Sequence, residues 1–595
     1  MTVDPSAELE EKVSLAQLPM PPTAPSAEAE SCTGAINPRG TGCVDPGWGA
    51  LGSVGTYWPD SEYVLVGATF AGAPATGAAA AHSGPQVLLV RTDGSTFPNG
   101  DGWKCLTCGV PVPPLGTASF EYGVSDVKYP INGFHDGTRA LAGNSIIECG
   151  GIQFADDRCT PDRMRIYPLQ WDAGIGRLGA LREPRLHPDD IHIGFSYMVA
   201  DNDSFQQVPF MGRLVFDPAN NRYTVEDVRT LFNPAQQFQP YTVGAGNELT
   251  FNPAGMIGEF RGWNHDGTAA LGIQHHSSGS IDAWATDNVT GRSWPLTHNA
   301  GYTDPMAASP DGRYLLAEQV LGSGRVDFLA AMPEIPPITD QMPTTAHIAG
   351  IRNNGRRRFF LPYLVDLDTG KSQQINVGGD PNWNAAADPA WLSDSTGVVW
   401  AENLVTAPAC DGANPLPCPP SGEPGGRRSR VMIARFDNIE PTPPQPMAPA
   451  HVPAWGLPYR PGDPLPQVPH LPEGIYTLRG TEHGSAQVVI TENATKTMIM
   501  QIVVTYTDFG AGAGAGAGAV INGTERVQRR AETGFAPITW HTDLQISGTY
   551  TGTKRTSEPD GFTLGPETIQ NNFRATGTMT TVLDGHTYTQ PANGT

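Results

Sequence analysis

A short turn motif recurs between residues 57 and 403 and constrains the fold more than any other feature of the sequence. It joins two apolar segments through an Asp-Gly or similar pair, as in "AASPDGRYLLAEQ" at residues 307–319. Four further copies, "YWPDSEYVLVGA", "GFHDGTRALAGN", "GWNHDGTAALGIQ" and "AWLSDSTGVVWAEN", begin at residues 57, 133, 262 and 390. Repeated strand–turn–strand units of this kind are typical of β-propeller blades.

A further unit that lacks the turn is predicted over residues 187–225, where "IHIGFSYMV" and "GRLVFDP" have the pattern of paired strands. The repeats therefore predict an all-β protein, a six- or seven-bladed β-propeller with TolB/WD40-like repeats. N-terminal residues are expected to complete its last sheet. The 69 glycines and 56 prolines agree with many turns and few long helices, because both residues are unfavourable inside helices and favourable in turns.

Composition divides the chain into four parts. Residues 1–30 are rich in Pro, Ala and Glu and are predicted to form an extended leader, followed by the catalytic propeller at residues 31–436. Residues 437–472 contain many prolines, which exclude a regular helix or a central strand and predict an extended linker. In residues 473–595, Thr, Val and Ile alternate with polar residues, which predicts a C-terminal antiparallel β-sandwich.

The charge of the chain excludes two classes of partner. Sixty acidic residues against 37 basic ones give a net charge of −23, which repels phosphate backbones and anionic lipid. No stretch approaches the ~20 apolar residues that span a bilayer. We therefore expect no nucleic acid and no membrane as partner, but a small-molecule substrate. The oligomeric state stays open.

The eight cysteines fall into four close pairs, and these are Cys32/Cys43, Cys105/Cys108, Cys149/Cys159 and Cys410/Cys418. An even number in short loops rich in Gly, Pro and Asp favours disulfides, and thus an oxidising compartment. Spacing alone leaves other pairings open, and "CLTC" could also be a redox or zinc motif. We expect a secreted protein whose leader peptide is not part of this sequence; a cytoplasmic protein with reduced cysteines is the alternative.

Acidic residues occupy the same position relative to the turn in three of the units. Counting back five residues from the start of the turn gives Glu259, Asp304 and Asp388, while Ser53 and Tyr129 hold this position in the first two units. Inner strands of a propeller surround its central channel, so these side chains are expected to converge on one pocket. The alternative is that each acid only caps backbone amides of a neighbouring loop.

Two facing carboxyl groups can hydrolyse a glycosidic bond. One protonates the leaving oxygen, and the other acts as base or nucleophile. We predict Glu259 as the general acid, with Asp304 or Asp388 as base or nucleophile. The separation of the two groups decides between retention and inversion, and the sequence leaves it open.

Several arginines accompany these acids. Arg261 lies two residues after Glu259 on the same strand, and Arg352 and Arg358 lie in "IRNNGRRRFF". Because a guanidinium group binds a carboxylate with two hydrogen bonds, an acidic sugar such as glucuronate fits better than a neutral one. A structural salt bridge is the alternative for each arginine. Tyr129 is added to the predicted substrate-binding residues.

Histidines suggest a rival function. His187, His192, His275 and His276 could bind a divalent metal, as in a propeller-fold polysaccharide lyase that acts on uronates. Adjacent histidines on a strand point to opposite faces, so only one of His275 and His276 could bind the same ion. We assign His187 and His192 to substrate binding and predict no metal and no other cofactor. A non-catalytic carbohydrate-binding propeller is a third possibility, because this fold carries many functions.

Seven long motifs together resemble the secreted fungal saponin hydrolases, which are soyasaponin-hydrolysing β-glucuronidases. The motifs are "CTGAINPRGTGC", "NGDGWKCLTCGVP", "ECGGIQFADDRCTP", "LREPRLHPDDIHIGFS", "IRNNGRRRFFLPYL", "TAPACDGANPLPCPPSGEPGGR" and "ITENATKTMIMQIVVTYTDF". The likeness includes all eight cysteines and extends from about residue 30 to the C-terminus, although this chain differs in its Ala/Gly-rich insertions.

The resemblance implies hydrolysis of a β-glucuronosyl bond between a glucuronate-containing sugar chain and the C3 hydroxyl of a triterpenoid. It also implies a wide apolar rim for the aglycone, for which Trp263, Trp284, Phe195 and Tyr197 are the candidates. Such side chains are more often part of a protein core. The resemblance does not identify the catalytic residues, which rest on the position of the acids relative to the turns.

Overall fold

The computed structural model describes residues 9–595 with gaps. The gaps are residues 75–81, 112–130, 170, 172–181, 201–204, 253, 256, 343–344, 387, 408, 411–415, 443–446, 448–449, 467–468 and 512–516. Most regular structure in the described part is β-strand. No helix in these residues is long and apolar enough to cross a membrane.

Strands from the first part of the chain build six separate sheets, which are the six blades of a β-propeller. Their bounds are β1 (Val13–Gln17), β2 (Cys43–Val44), β3 (Leu51–Thr56), β4 (Tyr63–Gly72), β5 (Gly84–Arg91), β6 (Trp103–Cys105), β7 (Ile131–Gly133), β8 (Arg139–Ala142), β9 (Ser145–Glu148), β10 (Arg165–Pro168), β11 (Arg182–Leu186), β12 (His192–Ala200), β13 (Phe205–Asp217), β14 (Arg222–Thr230), β15 (Tyr241–Val243), β16 (Glu248–Phe251), β17 (Glu259–Trp263), β18 (Ala269–Gln274), β19 (Asp282–Asp287), β20 (Ser293–Pro295), β21 (Thr303–Ala308), β22 (Tyr314–Gln319), β23 (Leu361–Asp366), β24 (Ser372–Gln374), β25 (Trp383–Ala385), β26 (Ala390–Trp391), β27 (Gly397–Leu404) and β28 (Ser429–Phe436). Strands β15 and β16 lie outside the blades.

The blades follow one another along the chain, and inner strands of neighbouring blades contact one another, as β3 does with β7, β11 with β17, β17 with β21 and β21 with β26. Blade 1 contains β2–β6, blade 2 β7–β10, blade 3 β11–β14, blade 4 β17–β20, blade 5 β21–β24 and blade 6 β25–β28. The inner strand β26 of the last blade contacts β3 of the first, which closes the ring. The predicted propeller is confirmed, with six blades.

N-terminal residues complete blade 6, as predicted. Strand β1 pairs antiparallel with β28 and forms the outer edge of that sheet. Leu18 and Ala24, which follow β1, are buried. Residues 13–24 of the predicted leader are therefore part of the propeller, because they supply a strand and core side chains.

The recurring turn has the same hydrogen bond in most blades. In blade 5, the Asp311 carboxylate accepts the backbone N–H of Arg313 at 3.1 Å, and Gly312 adopts a φ of 75°. Only glycine takes such a φ without steric cost. Equivalent carboxylates accept the N–H two residues further on from Asp60, Asp136, Asp266 and Asp394.

Blade 3 also contains this turn, so the prediction that it lacks one is wrong. The carboxylate of Asp189 accepts the backbone N–H of Ile191 at 2.9 Å. Asp190 has a φ of 59° where three of the other blades carry glycine. Aspartate tolerates the left-handed region better than most residues, and this substitution hid the repeat in the sequence.

The C-terminal strands form one connected sheet with β15 and β16, in which β16 pairs parallel with β29. Their bounds are β29 (Gly474–Arg479), β30 (Ser485–Glu492), β31 (Ile499–Ala511), β32 (Ala519–Arg529), β33 (Ile538–Ser547), β34 (Gly552–Thr556), β35 (Phe562–Leu564), β36 (Ala575–Thr576), β37 (Met579–Leu583) and β38 (His586–Thr589). The predicted antiparallel strands are present, and successive hairpins join them into a continuous sheet.

A helical insert covers the apolar face of this sheet. The insert, residues 320–360, lies between β22 and β23 of blade 5 and contains helices α1 (Asp327–Ala330) and α2 (Thr345–Arg352). The ring of Phe328 packs against Phe562 and Phe573, with centroids 5.6 and 6.3 Å apart. The sheet thus packs on an insert of the propeller, so the two parts share one core cluster.

The Pro-rich segment 437–472 lies against the propeller. Its Trp455 and Tyr459 are buried, and the indole N–H of Trp455 donates to the carbonyl of Asn288 at 3.1 Å. The guanidinium group of Arg229 in blade 3 donates to the carbonyls of Pro453 and Gly456. This segment is therefore fixed to blades 3 and 4 along part of its length.

All eight cysteines form disulfides within the four close pairs, and the bonds are Cys32–Cys43, Cys105–Cys108, Cys149–Cys159 and Cys410–Cys418. The predicted disulfides are confirmed, and "CLTC" is one of them. Disulfides persist in oxidising compartments, so the four bonds are consistent with an extracellular protein.

Candidate functional site

The three predicted acids lie at the propeller axis. Glu259 begins β17, and Asp304 is the second residue of β21. Asp388 lies two residues before the start of β26. All three are buried, and Asp304 is only 1% exposed. The equivalent position of these acids in three blades therefore brings them to the centre of the ring.

Arg261 holds two of these acids together. Its Nε lies 2.5 Å from Oδ1 of Asp304, and its Nη2 lies 2.7 Å from Oδ2 of the same residue. The same Nη2 lies 2.9 Å from Oε1 of Glu259. The nearest oxygens of the two carboxylates are thus at most about 6 Å apart, on the scale of glycosidase carboxyl pairs. Arg261 occupies the space between them, which leaves no room there for a sugar.

Strand β11 adds three charges that the sequence analysis did not predict. Arg182 Nη2 donates to Glu259 Oε1 at 2.7 Å, Glu183 Oε2 accepts from Arg261 at 2.5 Å, and Arg185 donates to Asp388 at 2.9 Å. We call these seven residues the axial cluster: Arg182, Glu183, Arg185, Glu259, Arg261, Asp304 and Asp388.

A bulge explains how neighbouring residues of β11 reach the same cluster. Successive residues of a regular strand point to opposite faces, but the pairing of β11 with β12 shifts between Arg182 and Arg185. Glu183 within this shift has a φ of 53°. Bulges redirect side chains in this way, and Arg182, Glu183 and Arg185 all enter the cluster as a result.

Burial and the arginines act in opposite directions on the acids of the cluster. Burial disfavours ionisation of Glu183, yet the guanidinium groups of Arg182 and Arg261 outweigh it and lower the pKa of Glu183 to about 2. Burial raises the pKa of Asp304, and the nearby Glu259 adds to this effect. The axial cluster thus contains acids with different proton affinities.

A further acid lies beside the cluster. Glu318 on β22 is fully buried, and neither of its carboxylate oxygens has a hydrogen-bond partner among the described residues. Burial raises its pKa well above the ordinary value, and Asp388 and Asp304 act in the same direction. Glu318 is therefore held as a neutral acid, because a second unpaired charge here would be costly.

A cavity of about 990 Å³ lies at one end of the axial cluster, between the propeller and the C-terminal sheet. Its propeller wall includes Arg182, Glu259, Tyr302, Arg352 and Arg358. The opposite wall is largely apolar and includes Leu471, Pro472, Tyr476, Met498, Ile499 and Ile569. This volume is at the upper end of typical small-molecule sites.

Two arginines face this cavity in different ways. Arg352 is held between aromatic rings, 4.2 Å from the centroid of Tyr302 and 4.7 Å from that of Phe360. Arg358 is exposed to the cavity and makes no hydrogen bond or ion pair with a residue that the structure describes. The surrounding chain still restricts its hydration, and this burial lowers the pKa of Arg358, as does Arg352.

A second cavity, of about 160 Å³, lies at the other end of the cluster. Arg185, Arg261 and Asp388 line it, together with the rings of Trp58 and Trp263. Glu259 and Asp388 therefore face different cavities. The axial cluster separates the two cavities.

The predicted substrate-binding residues lie in different parts of the site. Arg352 and Arg358 line the large cavity, and His187 and Trp263 line the small one. His192 lies beside His187, and one carboxylate, that of Asp189, contacts Nδ1 of both histidines at 3.0 and 2.7 Å. Tyr129 lies outside the described residues.

Three aromatic candidates for the apolar rim are core residues. Phe195, Tyr197 and Trp284 are at most 2% exposed and line neither cavity. They lie on blade strands whose side chains pack between blades, so the expectation that they bind an aglycone is wrong. The apolar wall comes instead from the C-terminal sheet and from the segments that lead to it.

The histidines proposed for a metal have other partners. Nδ1 of His275 lies 3.0 Å from the Ser280 carbonyl, and His276 lies 2.8 Å from His298. Among the described residues, no group of three or more His, Cys, Asp or Glu side chains could hold a metal ion.

One sequence signal could have revealed Arg182. The segment "HPDDI" at residues 187–191 aligns with "SPDGR" at 309–313. Counting back five residues from His187 gives Arg182, which has the position of Asp304 in blade 5. No comparable signal marks Glu183 and Arg185, whose direction depends on the bulge.

Comparisons with known proteins do not identify a family. No family model matches the chain, and no curated protein is similar to it. Similar solved structures include TolB from Acinetobacter baumannii, at 12% identity and a TM-score of 0.27 over 60% of this chain and 61% of TolB. A luciferin-regenerating enzyme matches at 9% identity and a TM-score of 0.28, over 67% of this chain and 95% of that one. A GH43 glycoside hydrolase with endo-xylanase and exo-arabinofuranosidase activity matches at 9% identity and a TM-score of 0.24, over 98% and 92%.

Proposed function

We propose that this protein is a secreted glycoside hydrolase that acts in the large cavity. Its substrate is a glycoside in which a glucuronosyl residue is joined to an apolar aglycone such as a triterpenoid. The observation that carries the proposal is the position of Arg358, a guanidinium group without a described partner, in the cavity that Glu259 also faces. An anionic sugar supplies the missing partner.

The other charges of this wall support an acidic ligand. Arg352 is held in place by Tyr302 and Phe360, which reduces the entropy lost when it binds a ligand. Its Nη1 is 3.6 Å from Asp304, a distance that leaves it free to bind another oxygen. Because guanidinium groups recognise carboxylates specifically, Arg352 and Arg358 together suit the carboxylate of a hexuronate.

Glu259 is the acid of the axial cluster that this ligand can reach. Its Oε1 lies within 3 Å of both Arg182 and Arg261, while Oε2 has no hydrogen-bond partner among the described residues. Two cationic donors on one oxygen leave the other oxygen to accept a proton or to attack the anomeric carbon. These surroundings support Glu259 as base or nucleophile, in place of the general acid that the sequence suggested.

The apolar wall supports a large apolar group beyond the sugar. Met498 and Ile499 from the C-terminal sheet and Leu471 and Pro472 from the linker face the cavity together. Removing apolar surface from water favours binding by roughly 25 cal/mol per Å². A triterpenoid fits this wall better than a second polar sugar does.

Two substrates with the same leaving group test the acidic-sugar proposal. 4-Nitrophenyl β-D-glucuronide and 4-nitrophenyl β-D-glucoside differ only in the carboxylate, and the wild type is expected to prefer the glucuronide. Arg358→Met should lower kcat/KM for the glucuronide by about 10- to 100-fold, the loss of one charge-assisted hydrogen bond, and leave the glucoside unchanged. Arg356→Met is the matched control, because Arg356 is exposed and lies against Trp48 outside the cavity.

A triterpenoid glucuronide, incubated with and without chelator, separates the alternatives. Hydrolysis releases an intact uronic acid and is insensitive to chelator. A metal-dependent lyase acts where O4 of the glucuronate carries a further sugar: it removes the C5 proton and expels that sugar, which leaves on the aglycone an unsaturated uronate with a new ultraviolet absorption. This elimination stops when chelator is added. Absence of turnover with every glucuronide would leave a binding propeller and refute the hydrolase.

A further inference from the structure

The large cavity contains two carboxylic acids among the described residues that line it, Glu259 and Asp340. Asp340 belongs to the short 3-10 turn Thr339–Gln341 in the helical insert of blade 5. Asp304 is enclosed by Arg261, and Asp388 faces the small cavity. The acid pair that shares this cavity therefore differs from each pair predicted from the sequence.

One wall of the cavity connects the two acids. Glu259 on β17 pairs with Ile273 on β18, and His275 follows two residues later. His275 directly follows Gln274, the last residue of β18, and both His275 and Glu259 line the cavity. His275 also interacts electrostatically with Asp340. Glu259, His275 and Asp340 thus line the same cavity, and His275 is close enough to Asp340 to influence its charge.

The surroundings of Asp340 favour its protonated form more than water does. Its two oxygens lie 3.1 and 3.2 Å from the backbone N–H of Gly279, which is a single donor. Burial raises the pKa of Asp340 and Glu525 acts in the same direction, while His275, Lys554 and the Gly279 N–H oppose them. A neutral carboxyl group retains a proton that it can donate.

An unsatisfied group next to Asp340 indicates a ligand there. Tyr241 lines the same cavity and is 4% exposed. Its hydroxyl has no hydrogen-bond partner among the described residues, and it interacts electrostatically with Asp340. Buried hydroxyl groups almost always have a partner, and the oxygen atoms of a bound glycoside can provide one.

We propose that Asp340 is the general acid and Glu259 the base or nucleophile of the hydrolase, an inference that rests on the function proposed above. Asp340 donates its proton to the glycosidic oxygen while the electron pair of the C–O bond leaves with that oxygen. In a single displacement, the attacking water gives its proton to Glu259. In a double displacement, Glu259 forms an ester with the anomeric carbon, and the water that cleaves this ester gives its proton to the Asp340 carboxylate.

The dependence of the rate on the leaving group distinguishes this role from a structural one. An alkyl glucuronide needs protonation of its leaving oxygen, whereas 4-nitrophenolate leaves without a proton. Asp340→Asn should lower kcat for cyclohexyl β-D-glucuronide by about 10²- to 10⁴-fold and kcat for 4-nitrophenyl β-D-glucuronide by less than about 10-fold. The alkaline limb of the pH–rate profile should disappear. Glu259→Gln should lower the rate with both substrates.

Glu334→Gln is the matched control, since Glu334 lies in the same insert and does not line the cavity. Equal losses with both substrates in Asp340→Asn, or an unchanged alkyl rate, would overturn the assignment. If Asp340→Asn does not fold, Asp340→Glu is measured with the same two substrates, and equal losses again overturn it. A wild type that cleaves neither glucuronide refutes the proposed function itself, whereas an active wild type with an active Asp340→Asn refutes only the role of Asp340.

Discussion

Replacing Arg261 by methionine removes the central cation of the axial cluster while keeping a side chain of similar length. Arg261 contacts Asp304 through two nitrogens, at 2.5 and 2.7 Å, and Glu183 and Glu259 at 2.5 and 2.9 Å. Its side chain is only 6% exposed. The substitution therefore leaves three buried carboxylates without their shared partner.

The expected loss of stability follows from the contacts that the acids keep without Arg261. Arg182 still contacts Glu183 and Glu259, but among the described residues Asp304 retains only Arg352 at 3.6 Å and the Tyr302 hydroxyl at 3.1 Å. Breaking a buried ion pair from one side typically costs about 3–5 kcal/mol. We expect Arg261→Met to lower the free energy of unfolding by this amount at neutral pH.

The loss should also depend on pH. The lowered pKa of Glu183, about 2, means that wild-type Glu183 contributes stability above the unfolded value of ~4.3, and that this contribution is lost as the pH falls towards 2. Without Arg261, the folded protein binds protons on these carboxylates more tightly. The difference between wild type and variant should therefore be larger at pH 8 than at pH 5.

Urea unfolding followed by tryptophan fluorescence at both pH values measures this difference. Arg313→Met is the matched control, because Arg313 in blade 5 lies 3.5 Å from Asp366 and its side chain is 57% exposed. Exposed pairs contribute about 0–1 kcal/mol. A cost of Arg261→Met no greater than that of the control, or the same cost at pH 5 and pH 8, would refute the structural role given to Arg261.

Three further predictions concern the propeller. Glu318→Gln should gain stability relative to wild type as the pH rises above ~4.3, by at most about 1.4 kcal/mol per pH unit. The reason is that the raised pKa of Glu318 makes the stability of the wild type fall over this range. Parallel thermal-unfolding profiles of the two proteins from pH 4 to 8 would contradict this prediction. Gly312→Ala should destabilise the protein more than Gly322→Ala does. Both glycines have positive φ, but only at Gly312 would an added Cβ lie 2.4 Å from the His265 ring. Equal urea midpoints for the two variants would count against this contact. Deleting residues 1–18 removes β1 from the edge of β28 and should lower the melting temperature of the propeller; an unchanged melting temperature would show that β1 is dispensable.

Much of the fold could be predicted because its signals are local. An aspartate that accepts an N–H two residues on, followed by glycine, specifies the turn within five residues of sequence. The disulfides close equally short loops. Blade 3 was harder, since Asp190 replaces glycine at the left-handed position and disguises the repeat.

The candidate site was predicted only in part. Glu259 and Asp304 converge on Arg261 as the turn register suggested, because equivalent positions in successive blades face the same axis. The contributions of Glu183 and Arg185 depend on a bulge in β11. Asp340 lies in an insert on which the C-terminal sheet packs, and no nearby residue pattern encodes its place beside the cavity.

Short-range patterns in the chain were thus enough to establish a ring of antiparallel blades with acids near its axis, since turns, strand alternation and disulfide loops each involve residues close in sequence. Packing alone placed Glu259 and Asp340 in one cavity and Asp388 in the other, enclosed Asp304 with Arg261 and left Arg358 without a described partner. These features depend on the direction of individual side chains and on contacts between segments far apart in the chain, which local periodicity does not specify.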